Sequence, residues 1–120
     1  MKKLYNSAKY AVQGLIQFIR TDRNGRLELL CAVIAITLGC LLHISSTEWC
    51  LIILCIGIVL AAEMFNHAVE KSMDFITQER HKEIGIIKDV AASAVMMTVF
   101  MSLAICYIVF YSKIVAQFIH

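Results

Sequence analysis

The sequence predicts an all-α integral membrane protein in which three transmembrane helices follow an N-terminal amphipathic helix at the membrane surface. Three observations predict it. Of 120 residues, 60% are apolar, only 17% are charged and none is proline, whereas an ordinary soluble domain carries about 25% charge. Residues 29–47 contain no Asp, Glu, Lys or Arg, residues 49–69 contain only Glu63, and residues 90–112 are again charge-free; each run matches the roughly 20 residues that cross a ~30 Å hydrocarbon core. The basic residues are also unevenly spread. Lys2, Lys3, Lys9, Arg20, Arg23 and Arg26 precede the first run, and Lys71, Arg80, Lys82 and Lys88 separate the second from the third. The connection around His43 to Glu48 has no Lys or Arg, and only Lys113 follows the third run. The positive-inside rule then places the N-terminus and loop 71–89 in the cytoplasm and the C-terminus outside. The net charge of +2 reflects this bias and gives no sign of a nucleic-acid partner.

At the N-terminus, Tyr5, Ala8, Val12, Leu15, Ile16 and Ile19 recur at helical spacing, with Lys2, Lys9, Gln13, Gln17 and Arg20 mostly elsewhere on the wheel, which predicts a surface helix over 2–20. This stretch is mixed apolar and basic rather than a signal core, so no cleavage is expected. Thr21 to Arg26 reads as a turn, with Asp22 or Asn24 able to cap the next helix. The first span is expected at about 27–44. Ser45, Ser46 and Thr47 read as a tight turn, and Trp49 as a headgroup anchor opening a second span over 49–70. Phe75 to Ile87 is a polar connection, expected to be largely helical with a break near Gly85, and the third span covers 90–113. Ala91, Ala92, Ser93 and Ala94 would allow close helix approach at its start. These pieces make one bundle, a single domain over 1–120. Cys31, Cys40, Cys50, Cys55 and Cys106 form no CxxC pair and read as small apolar packing rather than a metal or disulfide framework.

The candidate chemistry lies on the second span. Glu63, Asn66, Glu70 and Asp74 fall at i, i+3, i+7 and i+11, on one narrow face of a helix. An ionisable group held in a bilayer costs roughly 2.5 kcal/mol or more on insertion scales and usually marks a site for ions, protons or substrate. Counting 1.5 Å per residue from Trp49, Glu63 lies about 20 Å along the helix and Glu70 about 30 Å, inside the inner leaflet and near the interface respectively. Glu63 is thus a candidate general base for an alcohol arriving from the lipid. Glu70, nearer water, is suited to a divalent cation, for which Asp22 could supply a second carboxylate alongside nucleotide phosphates. Lys88, beside Asp89, could meet a phosphate. There is no GxxxxGK[ST] loop and none of the protein-kinase motifs.

The same residues carry a family resemblance. Glu63, Asn66, Ala68, Val69, Glu70 and Asp74 match the second-span pattern of the prokaryotic diacylglycerol kinases, small three-span lipid kinases. Lys88, Asp89, Val90, Ala91 and Ala92 resemble the run opening that family's third span, and Tyr10, Gly14, Leu15 and the Asp22 to Arg26 turn also align. The resemblance covers nearly the whole chain. It implies a homotrimer in a bacterial inner membrane, with active sites between subunits, using ATP, Mg2+ and a membrane lipid alcohol, either diacylglycerol or undecaprenol. In that reading Glu63 is the general base, Asn66 orients the reacting groups, and Asp22 and Glu70 hold the metal. Tyr10, Glu79, His81, Lys88 and Asp89 line the nucleotide, with Lys3 as a further basic contact. Asp22 stands where the family has Glu, and His67 where it has a small hydroxyl residue; Phe65 and Met73 replace aliphatic ones. Lys88 to Ala92 leans toward the undecaprenol branch and Glu28 toward the other.

Simpler roles compete. Glu63 could be a structural acid paired with a lysine, Asp74 a solvated or capping residue, His81 plain surface, and Met96, Met97 and Met101 ordinary packing. The alternative function is a small proton-coupled transporter titrating at Glu63, which would leave Asn66, Glu70 and Lys88 idle.

Overall fold

A computed structural model describes residues 1–119. It contains four helices among the described residues: α1 (Lys2–Thr21), α2 (Arg23–Leu42), α3 (Ser46–Ile76) and α4 (Lys82–Ile119). The last three are each long and apolar enough to cross a membrane.

Between α1 and α2 the helix is interrupted at Asp22 alone, so the six-residue turn expected over Thr21 to Arg26 shrinks to a one-residue elbow. The reason is local capping from both sides. Asp22 is extended (φ −105°, ψ 110°) and its Oδ1 accepts a hydrogen bond from the Asn24 amide at 3.1 Å, satisfying a free amide at the start of α2. Arg26, already helical, reaches back to donate to the carbonyl oxygens of Ile19 at 3.0 Å and Arg20 at 2.9 Å, which would otherwise be unpaired at the end of α1. Gly25 lets the Phe18 ring lie against the α2 backbone: a Cβ there would meet the ring, with Cε2 at 2.8 Å.

The first span begins four residues earlier than expected and ends at Leu42, where His43 takes the left-handed conformation (φ 52°). Ser46 and Thr47 are not turn residues but the first turn of α3. Ser45 and Glu48 form a capping box, the Ser45 side chain accepting from the Glu48 amide at 3.2 Å and the Ser45 amide donating to Glu48 Oε1 at 2.9 Å. The break expected near Gly85 lies instead at 77–81. Helix α3 runs on to Ile76, Thr77 is extended, and Gly85 sits inside α4, its amide bonded to the His81 carbonyl at 3.0 Å. Thr77 ends α3 because its Oγ1 takes the Glu79 amide at 3.1 Å, a local bond that competes with the helix.

The apolar core sits at the α2–α3 turn, where Ile44, Ile52 and Val109 are buried with Trp49 and Phe110 against them. Lys113 Nζ to Glu48 Oε1 at 3.2 Å and Gln117 Nε2 donating to the Leu42 carbonyl at 3.0 Å fasten α4 to the same end. Gly39 makes this packing possible: an added Cβ would lie 2.8 Å from the Trp49 ring and 3.1 Å from Ile44 Cδ1. Gly39→Ala is therefore expected to destabilise the bundle by about 1–3 kcal/mol, seen as a lower thermal midpoint in detergent; an unchanged midpoint would show that Trp49 moves aside freely.

Candidate active site

Helix α3 presents the buried start of the polar stripe, Glu63, toward the elbow. Glu63 and Asn66, 3% and 8% exposed, are the buried polar or charged residues among those described. The polar neighbours of Glu63 are the carboxyl groups of Asp22 and Glu28 and the Asn66 amide. Three segments thus bring acids to one place: Asp22 from the elbow, Glu28 from α2 and Glu63 from α3. Like charges so close repel, and the arrangement favours a cation or a proton between them.

Asp22 divides its two oxygens. Oδ1 caps α2, whereas Oδ2 is buried without a hydrogen-bond partner. The Asn66 Oδ1 and Glu28 Oε2 atoms are likewise buried and unpaired. Buried polar atoms left without partners are uncommon in native structures and point to something the site is built to receive. Among the described residues no group of three or more His, Cys, Asp or Glu side chains is arranged to hold a metal alone. Magnesium does not require one, since it keeps several waters and takes one or two carboxylates plus phosphates. The free Asp22 oxygen fits that demand. Glu70 is exposed, two turns beyond Glu63 on the same stripe.

The second group of expected site residues surrounds the α3–α4 connection. A cleft of about 400 Å³ there is lined by Asp74, Gln78, Glu79, His81 and Lys88 among others. Lys88 Nζ lies 2.7 Å from Asp74 Oδ1, so Asp74 is an ion-pair partner in this chain rather than a merely solvated residue. His81 Nε2 lies 3.7 Å from Glu79 Oε2 at the exposed rim. Tyr10 and Asp89 are exposed, and among the described residues no hydrogen bond or ion pair joins their side chains to either group.

The structure adds two residues to the first group. His67 touches the elbow, with Nε2 3.1 Å from Thr21 Oγ1 and Nδ1 3.7 Å from Asp22 Oδ2. Glu28 stands beside Asp22 and Glu63; its signal in the sequence was a lone carboxylate in a run apolar from Leu27 to Leu42. Glu28 also forms the polar end of a groove between α2, α3 and α4, whose other walls include Ala32, Ala35, Ile56, Leu60 and Leu103. Leu60 is one turn from Glu63, so this groove opens beside the carboxylates and is apolar beyond them.

The known proteins similar to this chain include members of one kinase family. A family model described as prokaryotic diacylglycerol kinase matches residues 9–110. The chain is 31% identical over 114 residues to the undecaprenol kinase of Bacillus subtilis, covering 95% of this chain and 93% of that protein. It is 36% identical over 94 residues to the diacylglycerol kinase of Haemophilus influenzae, covering 78% and 80%, and 30% identical over 94 residues to that of Pseudomonas aeruginosa, covering 78% and 76%.

Proposed function

Because this chain belongs to the prokaryotic diacylglycerol kinase family and is an ATP-dependent lipid kinase, we propose that it passes the γ-phosphoryl group of MgATP to the primary hydroxyl of diacylglycerol or undecaprenol, using Glu63 as general base. The observation that carries the reading is the buried Glu63–Asn66 pair beside the Asp22 carboxylate.

In the transfer, Glu63 takes the hydroxyl proton as the lipid oxygen bonds to the γ-phosphorus. The bond from that phosphorus to the β,γ-bridging oxygen breaks, and ADP leaves. Asn66, one turn along α3, orients the hydroxyl with its unpaired amide oxygen. Asp22 and Glu70 would hold Mg2+, which when bound would supply charge neutralisation at the phosphates. Such transfers rest mainly on positioning and electrostatic stabilisation. Tyr10, Glu79, His81, Lys88 and Asp89 line the nucleotide, with Lys88 exchanging Asp74 for a phosphate oxygen. The apolar groove ending at Glu28 suits a hydrocarbon tail beside the reacting hydroxyl.

The working form is a homotrimer in a bacterial inner membrane, with α1 along the cytoplasmic interface and the C-terminus outside. What supports this is the small apolar core, together with exposed Leu4, Tyr5, Leu15, Phe65, Phe100 and Tyr107, which lipid or partner copies would cover. The proton-coupled transporter finds no support, since both the family and the relatives are kinases.

The test is phosphate transfer from ATP in mixed micelles, with dioleoylglycerol and undecaprenol offered side by side. A phosphorylated product from at least one is expected, and the ratio of rates assigns the preferred alcohol. No phosphorylated lipid from folded protein would defeat the proposal.

A further inference from the structure

We propose that His67 is a positioning residue which holds the α1–α2 elbow against α3 and so fixes the Asp22 carboxylate beside Glu63 for the metal of the nucleotide; the inference rests on the lipid-kinase reading of the site. The hydrogens around Thr21 support it. Thr21 Oγ1 donates its one hydrogen to the Gln17 carbonyl at 2.7 Å. It can therefore only accept from His67 Nε2, 3.1 Å away. The other ring nitrogen, Nδ1, lies 3.7 Å from Asp22 Oδ2, so one ring touches both Thr21 and Asp22.

The ring is also held by packing. Phe18 is 4% exposed and meets the His67 ring edge-on, with centroids 5.8 Å apart and planes at 73°. The tip of its ring lies against Gly25. Phe18 and Thr21 of α1, Gly25 of α2 and His67 of α3 thus form one joint. His67 is four residues from Glu63, one turn along the same face, so this joint fixes Asp22 relative to the base.

Amide substitutions separate this role from general packing. The glutamine side-chain nitrogen can reach the place of His67 Nε2, whereas the asparagine nitrogen falls nearer that of Nδ1. His67→Gln is expected to keep the bond to Thr21, and His67→Asn and His67→Ala to lose it. The first readout requires no catalysis. Amide exchange over Phe18 to Arg23 should speed by about three- to tenfold in the Asn and Ala variants, the worth of one hydrogen bond, and stay near wild type in the Gln variant. The second readout is Mn2+ binding, by electron paramagnetic resonance, to protein with a non-hydrolysable ATP analogue and no lipid. It should weaken by a similar factor in Asn and Ala, while the lipid KM holds.

Thr21→Val should reproduce the exchange defect and add nothing to His67→Ala. Equal behaviour of the Gln, Asn and Ala variants in exchange, or additive effects of Thr21→Val and His67→Ala, would overturn the inference. So would a change in lipid KM with Mn2+ binding intact. Failure of the wild-type protein to phosphorylate lipid would instead count against the kinase reading, leaving the exchange result to judge the joint itself.

Discussion

Replacing Glu63 by Gln is expected to lower phosphoryl transfer by between about 10²- and 10⁴-fold, the range that general-base catalysis contributes, while leaving the helices and their assembly intact. The substitution keeps size and shape and removes only the ability to take a proton. It also removes one of three mutually repelling carboxyl groups, so the thermal midpoint should hold or rise. The useful comparison is between kcat and KM. A base acts on the reacting hydroxyl, so the loss should fall on kcat with the lipid and nucleotide KM values little changed. If Glu63→Gln instead raised the lipid KM at full kcat, Glu63 would be a binding group and the base would have to be sought in Glu28, the cluster's other carboxyl group on a spanning helix, whose Oε2 is unpaired.

Glu63 was legible in the sequence because a bilayer makes a lone carboxylate conspicuous. The three spans were legible for the same reason: hydrophobic runs of fixed length leave few other readings. What the pattern could not convey was how two helices meet. The elbow needs Asp22, Arg26, Phe18 and Gly25 together, and only the first announces itself as a cap. Arg26 is seven residues from Ile19, and its role depends on α1 and α2 meeting at an angle. The same holds at the other connection. Gly85 suggested a break on propensity alone, yet α4 tolerates it, and the interruption falls where Thr77 bonds the Glu79 amide. Glu28 and His67 illustrate the limit most directly. Glu28 stands in the sequence as a single polar residue between leucines and His67 directly follows Asn66, yet each gains its meaning from a partner on a different element. The Glu63 to Asp74 stripe needed no such partner to be seen, since its members lie on one helix at fixed angles.

The second large effect is expected at Asp22, where the two oxygens allow folding to be separated from chemistry. Asparagine is as good an N-cap as aspartate, so Asp22→Asn should retain the bond from the Asn24 amide and the thermal midpoint. It replaces the buried free oxygen or its charge, and activity should fall by about 10²-fold, equivalent to about 2.7 kcal/mol, with the Mg2+ concentration for half-maximal rate rising in parallel. Asp22→Ala should show the same catalytic loss and, in addition, about 1 kcal/mol of lost stability from the missing cap. Glu70→Gln should resemble Asp22→Asn if both carboxylates serve one ion, and the double variant should then lose much less than the product of the two single effects. An unchanged Mg2+ requirement in Asp22→Asn, with stability lost only in Asp22→Ala, would reduce Asp22 to a helix cap. The carboxylate pair would then have to be rebuilt from Glu28 and Glu70. The distinction is sharp because the cap uses Oδ1 and the proposed ligand is Oδ2, so a change that spares one and alters the other reports on each separately.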